Sequence, residues 1–505
     1  MTEPCDLPAT EARRLIGAKA LSPVELMASC IARIEAVDHA VNAVVARDFE
    51  RATAAAYAAE AAVLRGDPLP PLHGLPVAIK DMEDTAGLRT TYGSPIYRNH
   101  VPAADAGMVA RVRAAGGIVL GKTNTPEFAA GANTRNAVYG ATGNPFDPTR
   151  SAAGSSGGAA VALACGMVPL ASGSDMGGSL RNPAAFNGVV GFRPSPGVVP
   201  SEGRPLGWSP LSVLGPMART VPDACLFLSA MVSDDPRDPL AATIHGRQVR
   251  GPADFARPMP VDLSTVRAAF SPDLGFAPVE RHVAEVFADK AALFRAGFAR
   301  ADDAAPDCTG ADRAFEVLRA VAFLAAHSAR VRDRPDDVGP NVRANVAEGM
   351  RYSAADVAEA SVLQTQLYQR WQAFFAVHDV LITPSITISP RPWTELAPTE
   401  IDGVQTRSYF HWLALAYAVT LAGHPAISLP VGLDRHGLPF GLQIVGPRGG
   451  DAYVLGVAAA LEAALAGDAR TARPVPDVAR LRAAGRIADM PGYADTLGDP
   501  ERRTM

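Results

Sequence analysis

Residues 151–193 read SAAGSSGGAAVALACGMVPLASGSDMGGSLRNPAAFNGVVGFR and hold two glycine-flanked serine sites, Gly154-Ser155-Ser156-Gly157-Gly158 and Gly177-Gly178-Ser179. In the second, two residues without a Cβ precede a serine, so successive backbone amides can face one way and form an anion-binding nest. The run after it, Leu180-Arg181-Asn182-Pro183-Ala184-Ala185-Phe186, reads as the start of a helix whose N-terminal amides add to the same field. A serine beside such a nest has both a nucleophile and a place to hold an oxyanion. The first site leads into a helical run at 159–165 and permits unusual backbone shapes. Either turn alone reads equally as a glycine-rich turn required for close packing. With Ser155 and Ser179 held 24 positions apart, the pair is far more specific.

Outward from this segment, strands and helices alternate. Residues 8–65 read as helices, with Ser22-Pro23 as an N-cap followed by a proline in the first turn. Residues 74–80 (GLPVAIK) read as a short buried strand, 106–115 as a helix and 118–120 as a strand. Downstream, strands are expected from 266, at 380–383, 426–430 and 441–445, and helices at 279–297, 312–331, 353–376, 409–421 and 453–465. This pattern predicts an α/β fold: one α/β/α domain over residues 1–472, built on a large twisted mixed sheet, mostly parallel and covered by helices on both faces. The Pro-, Gly- and charge-rich residues 473–505 are expected to form a surface arm, partly disordered.

Composition narrows the function. The 505 residues are 48% hydrophobic, enough for a large core, and carry a net charge of −5, which points to no nucleic-acid or acidic-membrane partner. The five cysteines are scattered, and there is neither a CxxC nor an HExxH pattern, so no disulfide framework, metal or cofactor is expected. The N-terminus lacks an apolar signal region and no run is long enough to span a bilayer, which leads to an expectation of a cytoplasmic protein. Lysine occurs only at positions 19, 80, 122 and 290 against 43 arginines. A surviving lysine can do what arginine cannot, which is to lose its proton and act as a base.

Two motif matches mislead. Residues 116–123 (GGIVLGKT) fit the P-loop pattern, but Ile-Val-Leu is strand material where a flexible phosphate loop is needed, and Lys122 reads instead as the cap of a strand. Gly154-Ser155-Ser156-Gly157-Gly158 fits GxSxG around Ser156, but the residues upstream (146–153) read as loop rather than the strand a nucleophile elbow needs, and His424 or His436 could be nominated only by existing.

Residues 151–193 closely resemble the amidase signature, and the resemblance extends over roughly residues 8–466: GLPVAIKD at 74–81, GKTNTPEF at 121–128, DVLITP at 379–384, GHPAI at 423–427 and GLPFGLQIVGP at 437–447 are similar to further blocks of that family. The resemblance implies Lys80 as base, Ser155 as a bridging serine after a cis Gly154–Ser155 bond, and Ser179 as nucleophile. It implies oxyanion-hole amides from Met176, Gly177, Gly178 and Ser179, with Asp175 and Arg181 as supports. Ala153 stands where glycine is common and Ser174 where threonine is common, neither being expected to touch the triad. Ala130, Gly131, Asn133 and Trp208 are candidate substrate contacts, with Phe315, Tyr409 and Trp412 as further pocket aromatics. The implied activity is hydrolysis of a linear amide through an acyl-enzyme, without cofactor, by a monomer or homodimer acting on a small-molecule amide or carbamate. A carbamate or ester hydrolase would use the same triad, and a family member from another class is the amidase component of a tRNA-dependent amidotransferase complex.

Overall fold

A computed structural model of the chain describes residues 3–497 except 242, 245 and 246. Among the described residues, eleven strands form one sheet. In chain order they are β1 (Val44–Arg47), β2 (Pro76–Lys80), β3 (Ile118–Thr123), β4 (Leu170–Asp175), β5 (Val190–Arg193), β6 (Val213–Ala218), β7 (Arg267–Phe270), β8 (Arg300–Asp303), β9 (Val380–Pro384), β10 (Ala426–Leu433) and β11 (Pro439–Val445). Across the sheet the order is β1-β3-β2-β4-β6-β5-β10-β11-β9-β7-β8.

The sheet is mixed, and the expectation that it would be mostly parallel is corrected. Only β3–β2–β4 and β9–β7–β8 run parallel, and the remaining neighbours are antiparallel. Part of the cause is local. β10 and β11 are joined by a turn in which Asp434 N–H donates to Leu438 O at 2.7 Å and Gly437 takes a φ of +77°, so they form a hairpin rather than a crossover. β6 escapes the periodic reading because Gly215-Pro216 inside it looks like a turn. β1 interrupts what reads as continuous helix: Pro23–Val41 stops at Asn42 (φ +56°), and the Asp38 carboxylate accepts the amides of Ala43 at 2.6 Å and Val44 at 3.3 Å.

Alternate residues of the strands feed two separate cores. Ala268, Phe270, Val380 and Ile382 join the core beneath helices Pro23–Val41, Gly157–Ala164, Val221–Met231 and Asp451–Leu465. Ala269 and Leu381 join the opposite one, formed with helices Ala311–Asp333, Ala354–Phe375 and Ala414–Ala422. This two-sided burial is the expected α/β/α arrangement. No helix of the described residues is long and apolar enough to cross a membrane.

The expected C-terminal arm lies mostly at the surface as far as residue 497 and is anchored at a few points. Helix Val478–Ala483 buries Leu481, and Ile487 and Tyr493 pack with Trp393 and Ala141. Tyr493 Oη also donates to Tyr139 O at 2.9 Å. Proline and charge in this stretch mark an irregular path; Leu481, Ile487 and Tyr493, each six positions from the next, still reach buried clusters. Residues 498–505 of that expected arm lie outside the described ones.

Helix Gly157–Ala164 sits end-on against the chain leaving β3. A Cβ on Gly158 would lie 2.3 Å from Asn124 N and 2.8 Å from Ala43 O, both backbone atoms that cannot swing away. Gly158→Ala should therefore destabilise the protein by about 1–3 kcal/mol or more. Gly467→Ala, whose added methyl meets nothing within 4 Å, should stay within about 0.5 kcal/mol of wild type. Denaturant unfolding of both variants measures the difference, and equal midpoints would show that the helix end has room to shift.

Candidate active site

Every residue of β2 is buried, and its last one, Lys80, is 1% exposed. The sequence puts a lysine there behind Val77-Ala78-Ile79, so the ammonium ends in a site with no bulk water. Its Nζ meets three hydroxyls: Ser155 Oγ at 2.6 Å, Ser174 Oγ at 2.9 Å and Ser156 Oγ at 3.0 Å. Burial pushes its pKa down to about 7, against the opposing pull of Glu83 and Asp175. The Lys80 backbone amide is held in place by Ser172 Oγ of β4 at 3.0 Å.

Ser155 follows a cis Gly154–Ser155 peptide bond. Ala153 takes a φ of +54°, the left-handed region that glycine occupies most easily. The two glycine-rich turns are tied together by Ser156 N–H donating to Ser179 O at 3.2 Å.

The second turn begins at Asp175, the end of β4. Asp175 is wholly buried between Arg181 (2.8 Å) and Arg193 (3.2 Å), themselves wholly buried. Burial alone would raise its carboxyl; the two guanidiniums outweigh that and hold it well below the usual carboxylate range. Its oxygens accept the amides of Gly178 at 3.0 Å and Leu180 at 3.1 Å, fixing the loop that carries Ser179. Arg181 reaches on to Gln443 Oε1 at 2.6 Å, Ala416 O at 3.1 Å and Thr420 Oγ1 at 3.2 Å. The supporting place expected for Asp175 and Arg181 is thus occupied by a cluster that also includes Arg193, a residue the sequence reading missed.

The Gly178 amide, expected in the oxyanion hole, is committed to Asp175. The amides of Met176, Gly177 and Ser179 make no hydrogen bond among the described residues. Ser179 is half-buried, and its hydroxyl has no hydrogen-bond partner among the described residues.

Ser155, Ser174, Met176, Gly177 and Ser179 all line a cavity of about 490 Å³. Phe315, Phe323, Tyr409, Phe410 and Leu413 form an apolar wall, with Arg319 among them. Arg319 lies 3.9 Å from the Phe410 ring centroid, bonds Tyr409 Oη at 3.0 Å and pairs with Glu348 at 3.0 Å. Of the expected substrate contacts, only Gly131 lines this cavity. Ala130, Gly131 and Asn133 line a neighbouring cavity of about 920 Å³, and Asn133 is spent on structure, donating to Trp393 O at 2.9 Å and Glu395 O at 2.8 Å. Trp208 is 80% exposed and is corrected to a surface residue, at the tip of a turn closed by Ser209 N–H donating to Leu206 O at 3.0 Å. Phe315 and Tyr409 do line the cavity, whereas Trp412 is core.

Three other readings change. Ser174 touches Lys80 directly, contrary to expectation. Lys122 is interior to β3, not its cap, and donates to Glu83 O and to Thr85 Oγ1 at 2.9 Å. The residues before Ser155 include a short strand, Asp147–Ser151, but it pairs with Gly143–Asn144 and, by one bridge at Arg150, with Pro392, not with the central sheet. Ser156 is fully buried against Lys80, which leaves the elbow reading without an exposed nucleophile. His424 bonds Gly446 O at 2.9 Å from the core, and burial brings its pKa down to about 3.

A family model described as Amidase matches residues 25–455. An acylamidase of Rhodococcus erythropolis is 34% identical over 466 residues, spanning 90% of this chain and 95% of that protein. A glutamyl-tRNA(Gln) amidotransferase component from Picosynechococcus sp. is 34% identical over 452 residues, spanning 85% of this chain and 92% of that protein. The crystal structure of a bacterial aryl acylamidase belonging to the amidase signature enzymes is similar with a TM-score of 0.83 at 26% identity, covering 98% of this chain and 99% of that one. With its mixed sheet and the two serine turns in the matched region, the chain belongs to the amidase signature family, hydrolases of carbon–nitrogen bonds other than peptide bonds.

Proposed function

We propose that the chain is a stand-alone amidohydrolase that cleaves linear amides of small molecules through an acyl-enzyme on Ser179. The observation that carries this reading is Lys80: a fully buried amine, its pKa near 7, hydrogen-bonded at 2.6 Å to the hydroxyl of Ser155. A lysine in that state is half neutral at physiological pH and can accept a proton. In the proposed cycle Lys80 takes the Ser155 proton, Ser155 takes that of Ser179, and Ser179 Oγ attacks the carbonyl carbon. The relay requires Ser179 Oγ to turn toward Ser155, and its hydroxyl has no competing partner to break. The oxyanion would be held by the amides of Met176, Gly177 and Ser179. The proton returns through Ser155 to the leaving amine, and water repeats the path to release the acid.

The apolar wall at Phe315, Tyr409 and Phe410 supports an apolar or aryl acyl group, in keeping with the acylamidase relative. The same triad would serve carbamates and esters, which differ in leaving group. The amidotransferase relative favours a second reading, as one component of a complex; activity of the purified chain alone on simple amides separates the two. We further read it as a cytoplasmic monomer or homodimer without a nucleic-acid partner.

Lys80→Arg keeps the charge but cannot release its proton, whereas Lys80→Ala removes both. A base at this position predicts that both variants lose on the order of 10²–10⁴-fold in amide turnover, with esters less affected because their leaving group needs less protonation. Lys80→Arg retaining more than about a tenth of wild-type turnover would remove Lys80 from the role.

The pH dependence follows in sign. As pH falls through about 7, Lys80 gains its proton and ceases to be a base. The profile of kcat/KM should therefore show an acidic limb near that pH, flat above it. In Ser179→Ala, labelling by a fluorophosphonate should be lost at every pH; labelling that persists there and disappears in Ser156→Ala would move the nucleophile to Ser156.

A further inference from the structure

The turn that follows Lys80 places an acid in the same cavity. Glu83 N–H donates to Lys80 O at 3.2 Å, which closes a tight turn, and Glu83 O accepts both Lys122 Nζ and Thr85 Oγ1, the latter at 3.1 Å. The backbone here is therefore fixed from two sides. The side chain is not: Glu83 lines the cavity shared by Ser155, Ser174 and Ser179, and among the described residues its carboxylate accepts no hydrogen bond and forms no ion pair. A carboxylate left unpaired in a partly buried site is costly unless it interacts with something there.

We propose that Glu83 is a positioning residue for Lys80: its unpaired carboxylate, in the cavity that Ser155 and Ser179 line, stabilises the ammonium form of the lysine and sets how far into acid the enzyme works. The inference rests on Lys80 being the base.

The charges around the pair are accounted for. Lys80 faces Glu83 and Asp175. Asp175 is already neutralised by Arg181 and Arg193. Glu83 faces Lys122 of β3, Lys80 of β2, its neighbour Asp84, and Glu202 from the loop before β6. Lys122 is shared with Asp81, Asp84 and Asp105. The arginines across the cavity are engaged elsewhere: Arg204 with Asp238 at 3.0 Å, Arg319 with Glu348 at 3.0 Å, and Arg330 with Tyr97 Oη at 3.2 Å. Of the two acids that face Lys80, Glu83 is therefore the one with no guanidinium beside it, its other cation Lys122 being shared with Asp81, Asp84 and Asp105. Burial raises its pKa to about 7, against Lys122 and Lys80, so it titrates in the same range as the lysine. Two groups so placed lose their protons as a coupled pair. A negative Glu83 keeps the proton on Lys80; without that charge the lysine is free at lower pH.

The test is the pH dependence of two rates, amide kcat/KM and fluorophosphonate labelling of Ser179, in wild type, Glu83→Gln, Glu83→Asp and Lys80→Ala. Labelling reports the activated nucleophile without an amide substrate. In Glu83→Gln the midpoint of the acidic limb should move down by about half a pH unit or more in both rates, while Glu83→Asp, which keeps the charge, should stay closer to wild type. Glutamine keeps the shape and loses no accepted hydrogen bond, and Glu83→Met offers a second neutral variant if Gln does not fold. An unmoved midpoint overturns the proposal, as does a change in KM alone, which would make Glu83 a substrate contact. An acidic limb that survives in Lys80→Ala instead overturns the reading of Lys80 as base, so the two failures are told apart.

Discussion

The site is built around one buried ion cluster. Asp175 sits wholly out of water between two equally buried guanidiniums. Removing three charges from water costs far more than any surface pair returns, and such a cluster persists only where geometry and further hydrogen bonds are nearly complete. Here they are: Asp175 takes two backbone amides as well as two arginines, and Arg181 spends its remaining donors on β11 and on helix Ala414–Ala422. The consequence is mechanical. The loop bearing Ser179 is fixed to the middle of the sheet, to the antiparallel strand beside it and to the helix behind the pocket wall, so none of these can move without exposing a buried charge.

That cluster also shapes the electrostatics of Lys80. One carboxylate between two guanidiniums leaves a net positive charge beneath the Ser179 turn. This charge would favour an oxyanion above the turn, while Asp175, the member of the cluster that acts on Lys80, pulls the lysine toward its ammonium form. Desolvation outweighs that pull on the lysine, and the three serine hydroxyls around it can donate to a neutral amine as readily as they accept from an ammonium. A lysine in this position stays close to the balance between its two forms. Arginine at position 80 would stay charged and could not take that part.

What the sequence made legible follows from how local each signal is. The serine turns, Lys80 and the helical stretches are contiguous patterns, and the alternation of strand and helix suffices for the α/β class. Strand direction is not contiguous information: the antiparallel centre depends on a hairpin at 434–437 and on β6, disguised by Gly215-Pro216. Arg193 escaped notice because nothing in Val190-Gly191-Phe192-Arg193 marks its side chain as bound for Asp175, 18 positions back. Phe315 and Tyr409 were legible as pocket aromatics, but Glu83 and the rest of the cavity wall escaped because they join only in space. Trp208 failed for the opposite reason, since an aromatic near a glycine-rich loop looks like a pocket residue until its solvent exposure is known.

Pocket and Ser179 turn are in contact, and this constrains how the cavity can vary. A Cβ on Gly177 would lie 3.2 Å from Phe315 Cζ, and one on Gly178, whose φ is +103°, would lie 2.6 Å from Ala416 Cβ. Phe315 is in turn stacked on Tyr417 at 4.5 Å and edged by Phe410 at 5.6 Å. Enlarging the turn would collide with the wall, and shrinking the wall would leave a void beside the amides of Met176 and Gly177, at the cost that cavities carry in a close-packed interior. The side of the cavity formed by Phe128–Gly131 has no such coupling to the Asp175 cluster, its loop bonding to Tyr92, to itself and to Asn341, whereas the loop after Ser201–Arg204 runs on to Pro210, whose carbonyl accepts from Arg193 at 3.3 Å. Substrate preference can therefore be altered on the Phe128–Gly131 side with the charge geometry left intact, while the helical wall and the serine turn must change together or not at all.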